Sequence, residues 1–162
     1  MASLNRPPID AAVQQDLLAR ARVAAENAYA PYSRFAVGAA ALAADGSVYT
    51  GCNVENASLG LTICAERSAL SAAVGAGHRE IVAVAVSAPK AAWTTPCGAC
   101  RQSLNEFRAS AADLAVILDD GNSGHLVWLD ELLPRAFGPQ YLDATILNSD
   151  PGSPARRDDH GR

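Results

Sequence analysis

Three cysteines beside two predicted helix starts constrain this chain more than any other feature of its sequence. Cys97 and Cys100 lie three residues apart, and Cys64 opens the segment Cys64-Ala65-Glu66. Near the start of a helix, the spacing of Cys97 and Cys100 lets both sulfurs point at one ion. If Cys64 begins a second helix, two helix N-termini must face each other. Their positive dipole ends then favour thiolates, the form of cysteine that binds metals.

The composition predicts one globular domain over residues 1–148, followed by a disordered tail over 149–162. Of the 162 residues, 49% are hydrophobic and 19% are charged, which suffices to bury a core. A net charge of −4 without a basic stripe argues against nucleic-acid and membrane-surface partners. The N-terminus lacks a secretory pattern and no apolar stretch is long enough to span a bilayer. We therefore expect a cytoplasmic protein with reduced cysteines.

Hydrophobic periodicity predicts alternating helices and strands. A first helix starts at the N-cap Asp10 and ends before Pro31. The apolar run 81–86 indicates a central strand covered on both faces. The polar stretch 53–62 reads as a loop that suits binding residues. The remaining predicted elements are strands over 35–42 and 47–52 around a turn at Asp45-Gly46, a helix over 64–74 that stops at Gly75 and Gly77, a helix over 98–107, strands over 114–118 and 125–129, and a helix over 130–133. This order predicts an α/β layered domain around a mixed sheet.

Three cysteine ligands leave one tetrahedral position open, which is typical of a catalytic zinc site. Zinc lowers the pKa of water at such a position from roughly 16 to near 7 and so supplies a nucleophile. Glu66 is two residues beyond Cys64, so it can lie beside the metal without ligating it. Its carboxylate can move a proton from water to a ring nitrogen and then to a departing amine. Attack, protonation and loss of ammonia together constitute hydrolytic deamination.

Five ordered motifs between Val13 and Phe137 resemble the small, homotetrameric class of zinc-dependent cytidine deaminases. They are Tyr29–Ala40, Gly51–Asn56, Cys64–Arg67, Pro96–Gln102 and Glu131–Pro134. The resemblance implies a three-layer cytidine deaminase-like α/β domain, with a mixed five-stranded sheet between helices. It also implies conversion of cytidine and deoxycytidine to uridine and deoxyuridine in pyrimidine salvage, with one Zn²⁺ per subunit. Active sites shared between the four subunits are a further implication.

The resemblance assigns roles around the metal. Cys64, Cys97 and Cys100 match the zinc ligands, and Glu66 matches the catalytic acid and base. Arg67 matches a basic residue that hydrogen-bonds the ligand thiolates. Because three thiolates around Zn²⁺ leave a net negative site, a nearby guanidinium offsets that charge.

Five more positions are implicated in nucleoside binding by the same resemblance. Asn53 and Glu55 match a pair that hydrogen-bonds the ribose hydroxyls, and Phe35 matches an aromatic residue that packs on the nucleoside. The backbone N–H of Ala65 would reach the pyrimidine carbonyl. Phe137 matches an aromatic residue that reaches the site of a neighbouring subunit.

Several residues admit other interpretations. Leu59 stands where the family often carries a tyrosine that holds the sugar of a neighbour's substrate. Cys52 offers a fourth sulfur for a structural zinc site, although the chain has one close-spaced cysteine pair where such sites usually have two. Arg101 reads equally well as a solvated helix charge. The three histidines show no ligand spacing, and we assign them no role.

Two other functions compete with nucleoside deamination. The first is deamination of a cytosine within a nucleoside antibiotic or single-stranded nucleic acid. The ribose-reading pair argues against the antibiotic, and the acidic charge and few aromatic residues argue against nucleic acid. The second is a metal-stabilised binding module without turnover, against which Glu66 argues.

Overall fold

Five strands form one mixed sheet in a computed structural model that describes residues 4–109 and 112–142. The strands are β1 (Gly38–Ala43), β2 (Val48–Cys52), β3 (Ile81–Ser87), β4 (Ala115–Leu118) and β5 (His125–Trp128). Their spatial order is β2-β1-β3-β4-β5, and β3 is the central strand, as predicted. β3 and β4 run parallel, whereas the other neighbouring pairs are antiparallel. The predicted mixed five-stranded sheet is therefore confirmed.

Helices cover both faces of this sheet. They are α1 (Ala11–Glu26), α2 (Ala65–Gly75), α3 (Gly98–Glu106) and the short α4 (Leu129–Leu132). α1 packs on one face, and α2 and α3 lie on the other. In residues 4–109 and 112–142, every helix is too short or too polar to cross a membrane. The predicted tail, 149–162, lies outside the described residues, and the single-domain assignment to 1–148 stays a prediction.

Side chains that point alternately to the two faces of the sheet fill two separate hydrophobic cores, one under the helices on each face. On β3, Ala83 and Ala85 face α1, and Val84 faces α2. Because successive side chains of a strand point to opposite faces, a sheet covered on both sides is apolar throughout, as the run 81–86 predicts. Small residues on β1 let the helices approach the sheet closely. At Gly38 a Cβ atom would overlap the backbone of α1, and at Gly51 on β2 it would overlap the backbone of α2.

One helix cap and two element boundaries differ from the sequence prediction. Asp10 occupies the N-cap position of α1, but its side chain makes no capping hydrogen bond. α1 ends at Glu26 instead of continuing toward Pro31, because Tyr29 pairs with the backbone of Asn53. β1 starts at Gly38 rather than at residue 35, because the amide of Asn53 bonds the backbone of the preceding segment.

An ion pair joins α1 to the carboxyl ends of the two parallel strands. Arg22 donates two hydrogen bonds to Asp119, at 2.9 and 2.6 Å, and Ser87 Oγ donates a third at 2.7 Å. The Arg22 hydrogen bond is the main cause that lowers the pKa of Asp119 to about 2. Since this value lies below the ordinary 3.8, the stabilisation is present above about pH 4 and is lost as the pH falls through 2.

We expect Asp119→Asn to lower the free energy of unfolding at pH 7 by about 2 kcal/mol. The difference from wild type, measured by urea unfolding, should shrink between pH 4 and pH 2. Asp16→Asn is the matched control, because Asp16 pairs with Arg20 on the exposed surface, where such pairs contribute little. Equal effects of the two substitutions would contradict a special contribution from Asp119.

Candidate active site

The three cysteines of the two motifs converge at the N-termini of α2 and α3. Cys64 is the N-cap of α2, Cys97 is the N-cap of α3, and Cys100 lies in the first turn of α3. Their sulfur atoms all lie within 4.8 Å of one another, with Cys64–Cys97 at 3.8 Å and Cys97–Cys100 at 3.5 Å. Tetrahedral zinc with Zn–S bonds of about 2.3 Å requires sulfurs about 3.8 Å apart. The donor set therefore fits one zinc ion.

Cys52 does not belong to this cluster. Its sulfur donates to the Asn27 carbonyl oxygen at 3.3 Å, at the end of β2. Across the described parts of the chain, no histidine, aspartate or glutamate joins the three cysteines as a further ligand atom. This arrangement fits a site with three protein ligands better than a structural site with four cysteines.

The thiol cluster opens into a cavity of about 380 Å³. Cys64 and Cys97 line the cavity, while Cys100 is buried behind them. The other lining residues are Ser33, Phe35, Val37, Asn53, Glu55, Thr62, Ala65, Glu66, Thr94 and Thr95. A small molecule in this cavity would therefore meet sulfur, carboxylate, hydroxyl and aromatic groups together.

Burial determines the direction in which the pKa shifts for two of the three thiols. It is the largest cause that raises the pKa of Cys64 and of Cys100. For Cys97, burial acts in the same direction, but backbone hydrogen bonds from Cys100 and Ala99 help to lower its pKa. A divalent cation reverses the balance at the other two, because coordinating thiols lose their protons.

Glu66 is the buried carboxylic acid of the cavity. Its exposed fraction is 4%, and burial raises the pKa of its carboxyl group. A carboxyl group with a raised pKa holds a proton more strongly than an ordinary glutamate, which suits a group that accepts a proton and later returns it. The helix α2 places this group one residue after Ala65, which is fully buried at the cavity wall.

Arg67 lies beside the sulfur of Cys64. Its Nη2 donates to the Thr62 carbonyl oxygen at 3.0 Å and lies 3.8 Å from Cys64 Sγ. The guanidinium is thus placed where it can offset negative charge on the thiolates, as the sequence predicts.

Asn53 and Glu55 both line the cavity, but the side chain of each also makes hydrogen bonds to backbone groups. Asn53 accepts from Val37 N at 2.8 Å and donates to the Phe35 carbonyl at 2.9 Å. Oε2 of Glu55 accepts from the backbone N–H groups of Tyr32 and Ser33. A hydrogen bond from the Ser33 side chain is the largest cause that lowers the pKa of the Glu55 carboxyl group, so the group is ionised where it faces the cavity.

Phe137 and Leu59 lie apart from this group. Phe137 does not line the cavity of its own chain; it is 59% exposed and stacks on Tyr141. Leu59 lies in the 3₁₀ turn Leu59–Leu61 and is 72% exposed. Sequence reasoning missed Thr94 and Thr95 as lining residues, although their position just before Pro96-Cys97 pointed to them.

The comparisons with known proteins agree with this geometry. Residues 12–116, more than half of the chain, match the family described as "Cytidine and deoxycytidylate deaminase zinc-binding region". A cytidine deaminase of Halalkalibacterium halodurans is 51% identical over 133 residues, which cover 80% of this chain and 98% of that protein.

Solved structures give the same result. The crystal structure of cytidine deaminase from Burkholderia pseudomallei is 45% identical, covers 76% of this chain and 98% of that chain, and has a TM-score of 0.70. That of the Mycobacterium tuberculosis cytidine deaminase is 44% identical, covers 81% and 99%, and has a TM-score of 0.68. The three-layer fold predicted from the motifs is therefore confirmed, and the chain belongs to the zinc-dependent cytidine deaminase family.

Proposed function

We propose that this chain catalyses the hydrolytic deamination of cytidine and deoxycytidine to uridine and deoxyuridine, with release of ammonia. The observation that carries the proposal is a buried glutamate beside three convergent cysteine sulfurs in a nucleoside-sized cavity. The relatives named cytidine deaminase support the substrate.

The residues around the sulfurs have separate tasks in this reaction. Cys64, Cys97 and Cys100 hold the zinc ion, which when bound supplies a Lewis acid that makes water a nucleophile at neutral pH. Glu66 takes a proton from the water and delivers it to the ring nitrogen of cytosine. The same carboxyl group then transfers the second proton of that water to the departing amine, so that water and cytidine give uridine and ammonia. Arg67 offsets the charge of the thiolates.

The rest of the cavity binds and orients the nucleoside. Asn53 and Glu55 are assigned to the sugar hydroxyls, Phe35 to packing on the nucleoside, and the backbone N–H of Ala65 to the pyrimidine carbonyl. The position of the Glu55 carboxylate on the cavity wall supports its assignment. Leu59, as an exposed aliphatic residue, offers no hydroxyl for a sugar contact.

We propose a homotetramer with one zinc ion per subunit and active sites shared between subunits. Phe137 and several apolar residues of the segment 54–63 are exposed on the single chain: Val54, Leu59, Leu61 and Ile63. Exposed apolar patches of this kind suit burial against another copy of the chain. Light scattering on the purified protein should give four times the chain mass. A monomer at micromolar concentration would contradict the assembly.

We place the protein in the cytoplasm and in pyrimidine salvage. The three metal ligands are free thiols, which a reducing compartment preserves. Neither nucleic acid nor a membrane is assigned as a partner, because the net charge is −4.

The assay that tests this function follows the absorbance of cytidine and the release of ammonia at millimolar substrate. Zinc-loaded protein should consume cytidine and deoxycytidine and leave cytosine residues of single-stranded DNA intact. Unchanged cytidine absorbance would show that the proposal is wrong. Turnover of the DNA in preference to the nucleosides would favour the competing function.

Glu55→Gln should raise the KM for cytidine about tenfold, because a hydrogen bond to a charged carboxylate is lost. Glutamine keeps an oxygen that can accept from the N–H groups of Tyr32 and Ser33, so the loop should be retained. The matched substrate is 2′,3′-dideoxycytidine, which lacks the sugar diol and whose KM should change little. An equal rise for both substrates would argue against a contact between Glu55 and the sugar hydroxyls.

A further inference from the structure

Arg101 makes three directed hydrogen bonds from the second turn of α3. Its Nε donates to the Pro96 carbonyl at 2.7 Å, Nη1 to the Leu132 carbonyl at 2.7 Å, and Nη2 to Thr95 Oγ1 at 3.2 Å. The side chain is half-buried, and its partners among the described residues are two carbonyls and a hydroxyl. A solvated helix charge, the alternative left open by the sequence, does not account for three such bonds.

We propose that Arg101 is a positioning residue that fixes Thr95 and Pro96, and through them the cavity wall and the sulfur of Cys97. Arg101 does not line the cavity itself. Thr95 does, and Cys97 follows it after one residue. The chain between these two wall positions is therefore the segment that the guanidinium holds.

The burial of Pro96 explains why the hydrogen bond from Arg101 Nε to its carbonyl matters. Its side chain is fully buried, and proline has no N–H, so its carbonyl is its one backbone hydrogen-bonding group. Arg101 satisfies that carbonyl from within α3, the helix that Cys97 caps and that contains Cys100. The hydrogen bond to the Leu132 carbonyl connects the same guanidinium to the end of α4. The segment 95–97 is thereby held against an element outside its own loop.

The geometry of arginine is required for this role. A planar guanidinium donates along several fixed directions at once, whereas the ammonium of lysine is a single point on a flexible stem. Lysine at position 101 would keep the charge and reach one partner. Arg101→Lys thus tests the three-way connection and leaves the net charge of the chain unchanged.

The kinetic part of the test depends on the proposed function, and the metal part does not. Arg101→Lys should lower kcat/KM for cytidine about tenfold, chiefly through KM, and should speed zinc release to a chelator about tenfold. The control is Arg79→Lys, because Arg79 also donates to two carbonyls, of Val74 and His78, away from the cavity. The control should match wild type in both measurements, and both variants should keep the wild-type melting temperature within a few degrees.

Wild-type zinc release from Arg101→Lys would overturn the proposal, as would an equal acceleration in Arg79→Lys. If the wild-type protein does not deaminate cytidine, the proposed function fails, while zinc release still decides the role of Arg101. If Arg101→Lys does not fold, Thr95→Val removes the bonded hydroxyl at nearly constant volume. That variant should release zinc about threefold faster, and an unchanged rate would refute the role.

Discussion

Glu66→Gln should lower kcat for cytidine about a thousandfold and leave the fold and the zinc content unchanged. Glutamine has nearly the same shape as glutamate, so the buried position can accommodate it. The amide cannot take a proton from water or return one to the amine. Steady-state kinetics together with metal analysis of the same preparation measure both parts of this expectation.

Glu26→Gln is the control for that substitution. Glu26 ends α1 on the exposed surface, and the same chemical change there should leave kcat unaltered. Activity of Glu66→Gln within a few fold of wild type would rule out proton transfer by this residue. Loss of zinc from the variant would instead show that Glu66 supports the metal site.

Cys97→Ala should abolish stable zinc binding and, with it, deamination. Two sulfurs would remain where three converge within 4.8 Å. The sulfur of Cys97 lies 3.8 Å from that of Cys64 and 3.5 Å from that of Cys100, so its removal leaves both without this neighbour. We expect the zinc content after dialysis to fall from one ion per chain to a small fraction, because structural integrity of the site requires its ligands. Elemental analysis of dialysed protein checks this.

The matched control is Cys52→Ala. Its sulfur bonds the Asn27 carbonyl and lies outside the cluster, so this variant should retain one zinc ion and near-normal activity. If Cys52→Ala lost zinc as Cys97→Ala does, the site would have four sulfur ligands and the assignment of an open position would be wrong.

Much of the fold could be predicted because its signals are local. The apolar run 81–86 identified the central strand, and Asp45-Gly46 identified the turn, where Gly46 has φ +91°. The start of β1 could not be predicted from the apolar pattern around Phe35. A side chain distant in sequence, Asn53, takes the backbone hydrogen bonds there and keeps those residues out of the strand.

The candidate site was likewise predictable only in part. Spacing within Cys64–Glu66 and Cys97–Cys100 was enough to predict that these residues meet, because each motif starts a helix. Spacing could not show that burial would govern the thiol pKa values, since burial depends on the packing of both helices. Nor could it decide between a solvated Arg101 and a bonded one, because Leu132 lies on a different element.

X-ray absorption at the zinc edge of the purified protein counts the atoms bound to the metal, and so shows whether three cysteines hold a zinc ion with an open position. We expect three sulfur neighbours at about 2.3 Å and one oxygen at about 2.0 Å, with the oxygen replaced or shifted on addition of a hydrated pyrimidine nucleoside. Four sulfur neighbours, or a spectrum indifferent to that ligand, would contradict a catalytic zinc ion held by Cys64, Cys97 and Cys100.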